Sequence, residues 1–279
     1  MRAAEALTYL NPQSPVESRV TDLLSRMTLD EKIGQMVQPD LNAVTNRSDI
    51  QKYAFGSMLN GGDSKPAGEN NPGTWLATVN ELQSWALKTR LKIPLIYGID
   101  AVHGHNDVIG TTIFPHNIGM GATRNPALVE QAEHITALEV AGTGIRWAFA
   151  PCIAVVEDER WGRSYESYGQ DTELVSELGV AAIKGLQGDE LSDKPDSVLA
   201  CAKHYIGDGG TQNGKDQGDT VCDEATLRKL FLPPYQAAVK AGVGSIMVSY
   251  SSWNGTKMHG NKYLLTDVLK GELGFKGFV

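Results

Sequence analysis

Short apolar runs alternate with longer amphipathic stretches along most of this chain, and that alternation restricts its fold more than any other feature. The runs Ile33 to Val37, Phe55 to Leu59, Ile93 to Ile99, Ile145 to Pro151, Val198 to Tyr205, Ser245 to Tyr250 and Gly277 to Val279 have the length and composition of buried strands. Between them, helices are expected over Trp75 to Lys88 behind Thr74, Pro126 to Val140 behind Asn125, Thr172 to Leu186 behind Asp171 and Glu224 to Ala241 behind Asp223, with a short one behind Thr266. Gly142 and Gly242 stand where helices commonly end on glycine. Near the start, Ser14-Pro15-Val16-Glu17 reads as a capping box with proline in the first turn, ahead of Val16, Val20, Leu23, Leu24 and Met27. A second box, Thr28 to Glu31, opens a short turn into Ile33 to Val37.

Strand and helix in regular succession imply parallel strands joined by crossover helices, hence an α/β domain. About seven strands are visible, the last one partial. Both a (β/α)8 TIM-barrel-like domain, incomplete at its C-terminus, and an open doubly wound sheet fit that count. Polar and aromatic residues close several different strands, and this favours the barrel, because an open sheet gathers its site at one switch point. The polar, glycine-rich stretches Gly61 to Gly73 and Gly207 to Thr220 are expected as long loops on the face where barrel enzymes carry their sites.

At 279 residues the chain can bury a sizeable core. Its charge of -8 comes from 33 acidic against 25 basic residues with no Lys/Arg-rich run, so nucleic acid is not an expected partner. No apolar stretch approaches a membrane span, and no apolar core of a secretory signal opens the sequence. Cys152, Cys201 and Cys222 lack metal-ligand spacing and are expected as buried free thiols.

Chemistry gathers at the strand ends. Asp100 closes the run Ile93 to Ile99, where it either accepts hydrogen bonds from a ligand or caps a turn. The segment Glu157 to Tyr168 holds Glu157, Asp158, Glu159, Arg160, Trp161, Arg163, Tyr165, Glu166 and Tyr168. It suits a sugar site, with charged groups on hydroxyls and rings on the apolar sugar face, or else it is a solvated charged loop. Lys203-His204 ends a third strand. Tyr250 and Trp253 follow a fourth, as site residues or as packing. His103-Gly104-His105 admits a different reading, a metal-dependent amidohydrolase of barrel type completed by Lys203, His204 and His259.

Five motifs occur in order over nearly the whole chain: Met27 to Met36, Gly98 to Gly104, Arg160 to Arg163, Ala202 to Tyr205 and Met247 to Tyr250. Together they closely resemble the barrel motifs of glycoside hydrolase family 3. The longer forms Ile96 to Asn106 and Ser249 to Gly255 resemble its exo-β-glucanase branch, which acts on 1,3- and 1,4-linked glucans. The resemblance implies hydrolysis of terminal β-glucosyl residues in β-glucosides or glucan oligosaccharides by a retaining mechanism, with no cofactor. It assigns Asp100, Arg163, Lys203 and His204 to the hydroxyls of the sugar as one anionic acceptor and three donors, Met247 to the pocket wall and Tyr250 to the neighbourhood of the nucleophile. The nucleophilic Asp is expected just beyond Val279 and the acid/base Glu in a following α/β sandwich domain. Residues 1–279 are therefore expected to be a partial barrel domain, catalytically incomplete alone, the alternative being a non-catalytic sugar-binding protein. The same resemblance suggests a periplasmic or secreted protein.

Overall fold

A computed structural model describes residues 7–62 and 64–279. Position 63, within the loop expected at Gly61 to Gly73, and the first six residues lie outside it. The chain forms two compact units, one of Met1–Leu59 with Asn80–Ile96, the other of Asn60–Val79 with Tyr97–Val279.

The first unit carries α1 (Val16–Arg26), α2 (Leu29–Gln35), α3 (Ser48–Tyr53), the C-terminal part of α4 (Pro72–Ala86) and most of strand β1 (Ser57–Asn60). Only one of the two expected capping boxes forms. Thr28 Oγ1 accepts the Glu31 backbone N–H at 3.2 Å while Glu31 Oε2 accepts that of Thr28 at 2.9 Å. At α1 the cap position falls to Pro15 and carries no side-chain bond, so Ser14 is not used. The Thr28 box also corrects the reading of Ile33 to Val37. Two satisfied donors propagate a helix through Gln35, and the run contributes no strand.

The second unit is built on parallel neighbours. Strand β2 (Ile96–Ile99) pairs with β3 (Trp147–Ala148) in the register Gly98↔Trp147 and Ile99↔Ala148. Parallel bridges Trp147↔Leu199 and Cys152↔Lys203 carry the succession to β4 (Cys201–Tyr205). Beyond β4 comes β6 (Ser245–Val248), in the register Cys201↔Ser245 to Lys203↔Met247, and Ser245 bridges to Phe278. The expected runs are thus strands only in part. Gly277 to Val279 makes a single bridge, and β5 (Asp219–Thr220), β7 (Ser252–Trp253) and β8 (Thr256–Lys257) form a small sheet that no apolar run announces.

Helices α5 (Asn117–Thr123), α6 (Pro126–Gly142), α7 (Thr172–Gln187), α8 (Glu224–Thr226) and α9 (Pro233–Lys240) complete the unit. Asn125 caps α6 through the Leu128 N–H, and Asp171 caps α7 through those of Glu173 and Leu174, as expected. Three expectations need correction. Asn71, not Thr74, caps α4, accepting the Thr74 N–H at 2.9 Å. The stretch Glu224 to Ala241 is broken, because Pro233 and Pro234 bring no N–H and a π-turn at Leu227–Phe231 intervenes. The last helix spans Tyr263–Glu272 behind Asn261, which accepts the Leu264 N–H at 3.0 Å, and does not start at Thr266. Gly242 takes the left-handed conformation after α9 as expected, whereas after α6 it is Gly144 that does so and Gly142 stays helical.

Ile99, Ala148, Ala200, Ala202, Val175, Leu178 and Ile183 are buried between strands and helices. Among the cysteines, all free, Cys152 and Cys201 are buried and Cys222 is half-buried. Burial pushes the Cys152 thiol up to about 12 and that of Cys201 to about 11, so neither is a ready nucleophile. No helix among the described residues is long and apolar enough to cross a membrane.

Candidate functional site

Asp100 leaves the end of β2, Lys203 and His204 lie in β4, and Met247 lies in β6 as the register partner of Lys203. Parallel strands bring their carboxyl ends to one side, which is why residues 103 positions apart meet. Lys203 Nζ donates to Asp100 Oδ1 at 3.3 Å and stands 3.8 Å from Glu166 Oε2. Arg163 grips the same Glu166 with two parallel bonds, Nε to Oε1 at 2.7 Å and NH2 to Oε2 at 3.0 Å.

This chain of alternating charges, Asp100–Lys203–Glu166–Arg163, is enclosed in its middle and open at both ends. The Asp100 side chain is 37% exposed and that of Arg163 32%, against 8% for Glu166 and 3% for Lys203. Burial alone would push the Glu166 carboxyl up. The Arg163 hydrogen bond and the charges of Lys203 and Arg163 outweigh it and hold Glu166 below the ordinary carboxylate value. Glu166 is thus an ionised clamp, and the outer charges at Asp100 and Arg163 are left accessible to a neutral, hydroxyl-rich ligand.

Sequence reasoning placed Glu166 in the charged segment without a role. Its signal was the Arg163-x-x-Glu166 spacing, which puts the pair on one face of a single turn, here the short helix Ser164–Glu166. Asp107 was also passed over. Asn106 Nδ2 donates to its Oδ1 at 2.9 Å, its Oδ2 is buried without a partner, and burial followed by the charge of Asp100 pushes it up to about 6.

His204 stands inside the unit, its Nδ1 2.7 Å from Asp208 Oδ2, with both side chains 8% exposed. Tyr250 is not drawn into the charged chain; it is exposed, its ring 5.2 Å from that of His259. Trp253 Nε1 donates to the Cys222 carbonyl at 3.0 Å. Two aromatics of the charged segment are core rather than stacking surface. Trp161 is 2% exposed and donates to Asp216 Oδ1 at 3.0 Å, and Tyr168 is equally enclosed. Tyr165 remains exposed, at the end of a ring succession in which His103 and His116, then His116 and Tyr165, have centroids 4.7 Å apart.

The metal-hydrolase reading does not match these positions. His105 is buried, bonded through Nε2 to Thr143 Oγ1 at 3.0 Å and set edge-on to Trp75, and burial pushes its imidazole down to about 4. His103 packs against His116, His204 bonds Asp208, and His259 lies beside Tyr250. Among the described residues no three His, Cys, Asp or Glu side chains converge to hold a metal.

Similarity to known proteins points the same way. The chain is 37% identical to a lysosomal beta glucosidase of Dictyostelium discoideum over 96% of its own length and 35% of the relative's. It is 35% identical to a periplasmic beta-glucosidase of Salmonella typhimurium over 98% of its length and 34% of the relative's. The crystal structure of an exo-1,3/1,4-beta-glucanase from a Pseudoalteromonas species superposes with a TM-score of 0.90 at 45% identity, covering 98% of this chain and 35% of that one. The chain therefore spans about a third of the length of the relatives it matches. Residues 28–279 match the glycosyl hydrolase family 3 N terminal domain, and the chain belongs to that family.

Proposed function

We propose that this chain is the substrate-gripping domain of a retaining β-glucosidase or exo-β-glucanase that removes terminal non-reducing β-D-glucosyl units. The observation that carries the reading is the charge chain Asp100–Lys203–Glu166–Arg163 at converging strand ends. A neutral sugar offers each hydroxyl as donor and acceptor. Asp100 can accept from one while Lys203 and Arg163 donate to its neighbours. In this reading Met247 lines the pocket, Tyr250 stands near the attacking group, and the domain is part of a (β/α)8-type barrel.

Retaining hydrolysis needs two carboxyl groups about 5–5.5 Å apart, one free to attack and one to donate a proton. Two enclosed carboxylates of this site are committed elsewhere, Glu166 to Arg163 and Lys203, Asp208 to His204. The resemblance places the bond-breaking pair outside residues 1–279, the nucleophilic Asp shortly after Val279 and the acid/base Glu in a following α/β sandwich domain. The periplasmic relative supports a periplasmic or secreted location.

The test is calorimetric titration of the 279-residue chain with glucose, beside hydrolysis of an aryl β-glucoside by this chain and by one extended to the length of its relatives. Glucose binding lost in Asp100→Ala, with turnover and retained anomeric configuration only in the longer chain, is the expected result. Turnover by the short chain that depends on one of its own carboxylates would overturn the proposal.

A further inference from the structure

Resemblance treats His204 as one of three donors to the sugar, and its surroundings point to the opposite polarity. An ionised carboxylate only accepts hydrogen bonds, and a neutral imidazole has one donor nitrogen and one acceptor nitrogen. Asp208 Oδ2 lies 2.7 Å from His204 Nδ1, so the proton of that bond sits on Nδ1. The other Asp208 oxygen, Oδ1, is buried with no partner, which leaves this N–H as the one side-chain hydrogen bond the carboxylate receives among the described residues.

Local structure holds the pair in place. Asp208 opens the turn Asp208–Gly210, and the carbonyl of the preceding Gly207 is tied to Thr220 Oγ1 at 2.6 Å. A second proton on His204 would add a third positive charge to an enclosed region already holding Lys203 and Arg163. Burial first, then those two cations, keep His204 below the ordinary imidazole value, against the pull of Asp208. Near neutral pH the ring is therefore uncharged. Its Nε2 has no hydrogen-bond partner among the described residues.

We infer that Asp208 is a positioning residue that holds His204 as the Nδ1–H tautomer, so that the Nε2 lone pair accepts a hydrogen bond from a sugar hydroxyl. The inference rests on the sugar-binding function proposed above and changes its pattern: two acceptors, Asp100 and His204, face two donors, Lys203 and Arg163. A hydroxyl donating to Nε2 keeps its oxygen lone pairs free for the cations. A fluorine in its place can only accept, meets another acceptor, and is rejected.

The experiment is nitrogen NMR on the full 279-residue chain with 15N-labelled histidine, His204 being assigned by its loss in His204→Gln. The expected result at about pH 7 is a protonated Nδ1 and an unprotonated Nε2 whose resonance moves when glucose is added, with Asp208→Ala shifting the tautomer toward Nε2–H and weakening glucose binding at least tenfold. A protonated Nε2 in the free wild-type chain would overturn the inference. So would an Nε2 resonance unmoved by glucose that calorimetry shows to be bound. Absence of any calorimetric binding counts instead against the sugar-binding function on which the inference rests.

Discussion

Glu166 decides the electrostatics of the site, because it is the enclosed anion that joins the buried Lys203 to Arg163. Removing one partner of such a buried pair leaves an unpaired charge, at a cost of about 3–5 kcal/mol. Glu166→Gln keeps the shape and removes the charge, leaving Lys203 with only the more exposed Asp100 at 3.3 Å. We expect this variant to unfold at a clearly lower temperature and to bind glucose at least tenfold more weakly, as read by thermal denaturation and calorimetry. Unchanged values in both would show that the clamp is not what orders the site. The strand-end residues Asp100, Lys203 and His204 were legible because polar groups closing apolar strands are costly unless they have a partner. Glu166 and Asp208 were not singled out, since nothing along the chain shows that a carboxylate in a loop lies against a distant strand, or that a turn folds back on its own histidine.

At the scale of elements, helix starts were read well where a side chain within three residues supplies the cap, as at Asn125, Asp171 and Asp223, whereas Thr28, read as opening only a short turn, caps a helix. Strand lengths were read too long, because an apolar run records burial and not hydrogen bonding to a neighbour. The contact of α6 with α7 depends on Gly185. A Cβ there would lie 2.6 Å from Glu133 Cβ and closer still to the Glu130 carbonyl oxygen, so the helices could not approach as they do. Alanine is favoured over glycine within a helix by about 1 kcal/mol, while overpacking a rigid contact costs about 1–3 kcal/mol. The clash is with backbone, which cannot step aside, so the second effect wins. Gly185→Ala is expected to lower the urea midpoint, whereas a raised midpoint would mean that the two helices separate freely.

For the whole molecule, pH acts also through buried groups outside the charge chain. Glu133 is enclosed in α6 with Oε2 unpartnered, and burial pushes its carboxyl from the ordinary 4.5 up to about 8. A folded-state value above the unfolded one contributes stability that is complete below pH 4.5 and is lost as pH rises toward 8. His105 runs the other way. Its imidazole falls from 6.5 to about 4, so stability is lost as pH drops through that window. Comparing Glu133→Gln with wild type cancels the histidine. The variant is expected to gain on the order of a few kcal/mol at about pH 8 relative to its difference at about pH 4, measured by denaturant unfolding. A pH-independent difference would show that Glu133 is ionised in the folded protein. Local chemistry by itself determined the α/β class, the capped starts of α6, α7 and α8 and the polar groups that close β2 and β4, because periodicity, capping and the cost of burying charge act over a few neighbouring residues. Only tertiary structure decided that Trp161 is core and that Glu166 and Asp100 meet Lys203. Those outcomes depend on which distant segments come within a few ångströms, and spacing along the chain carries no record of that.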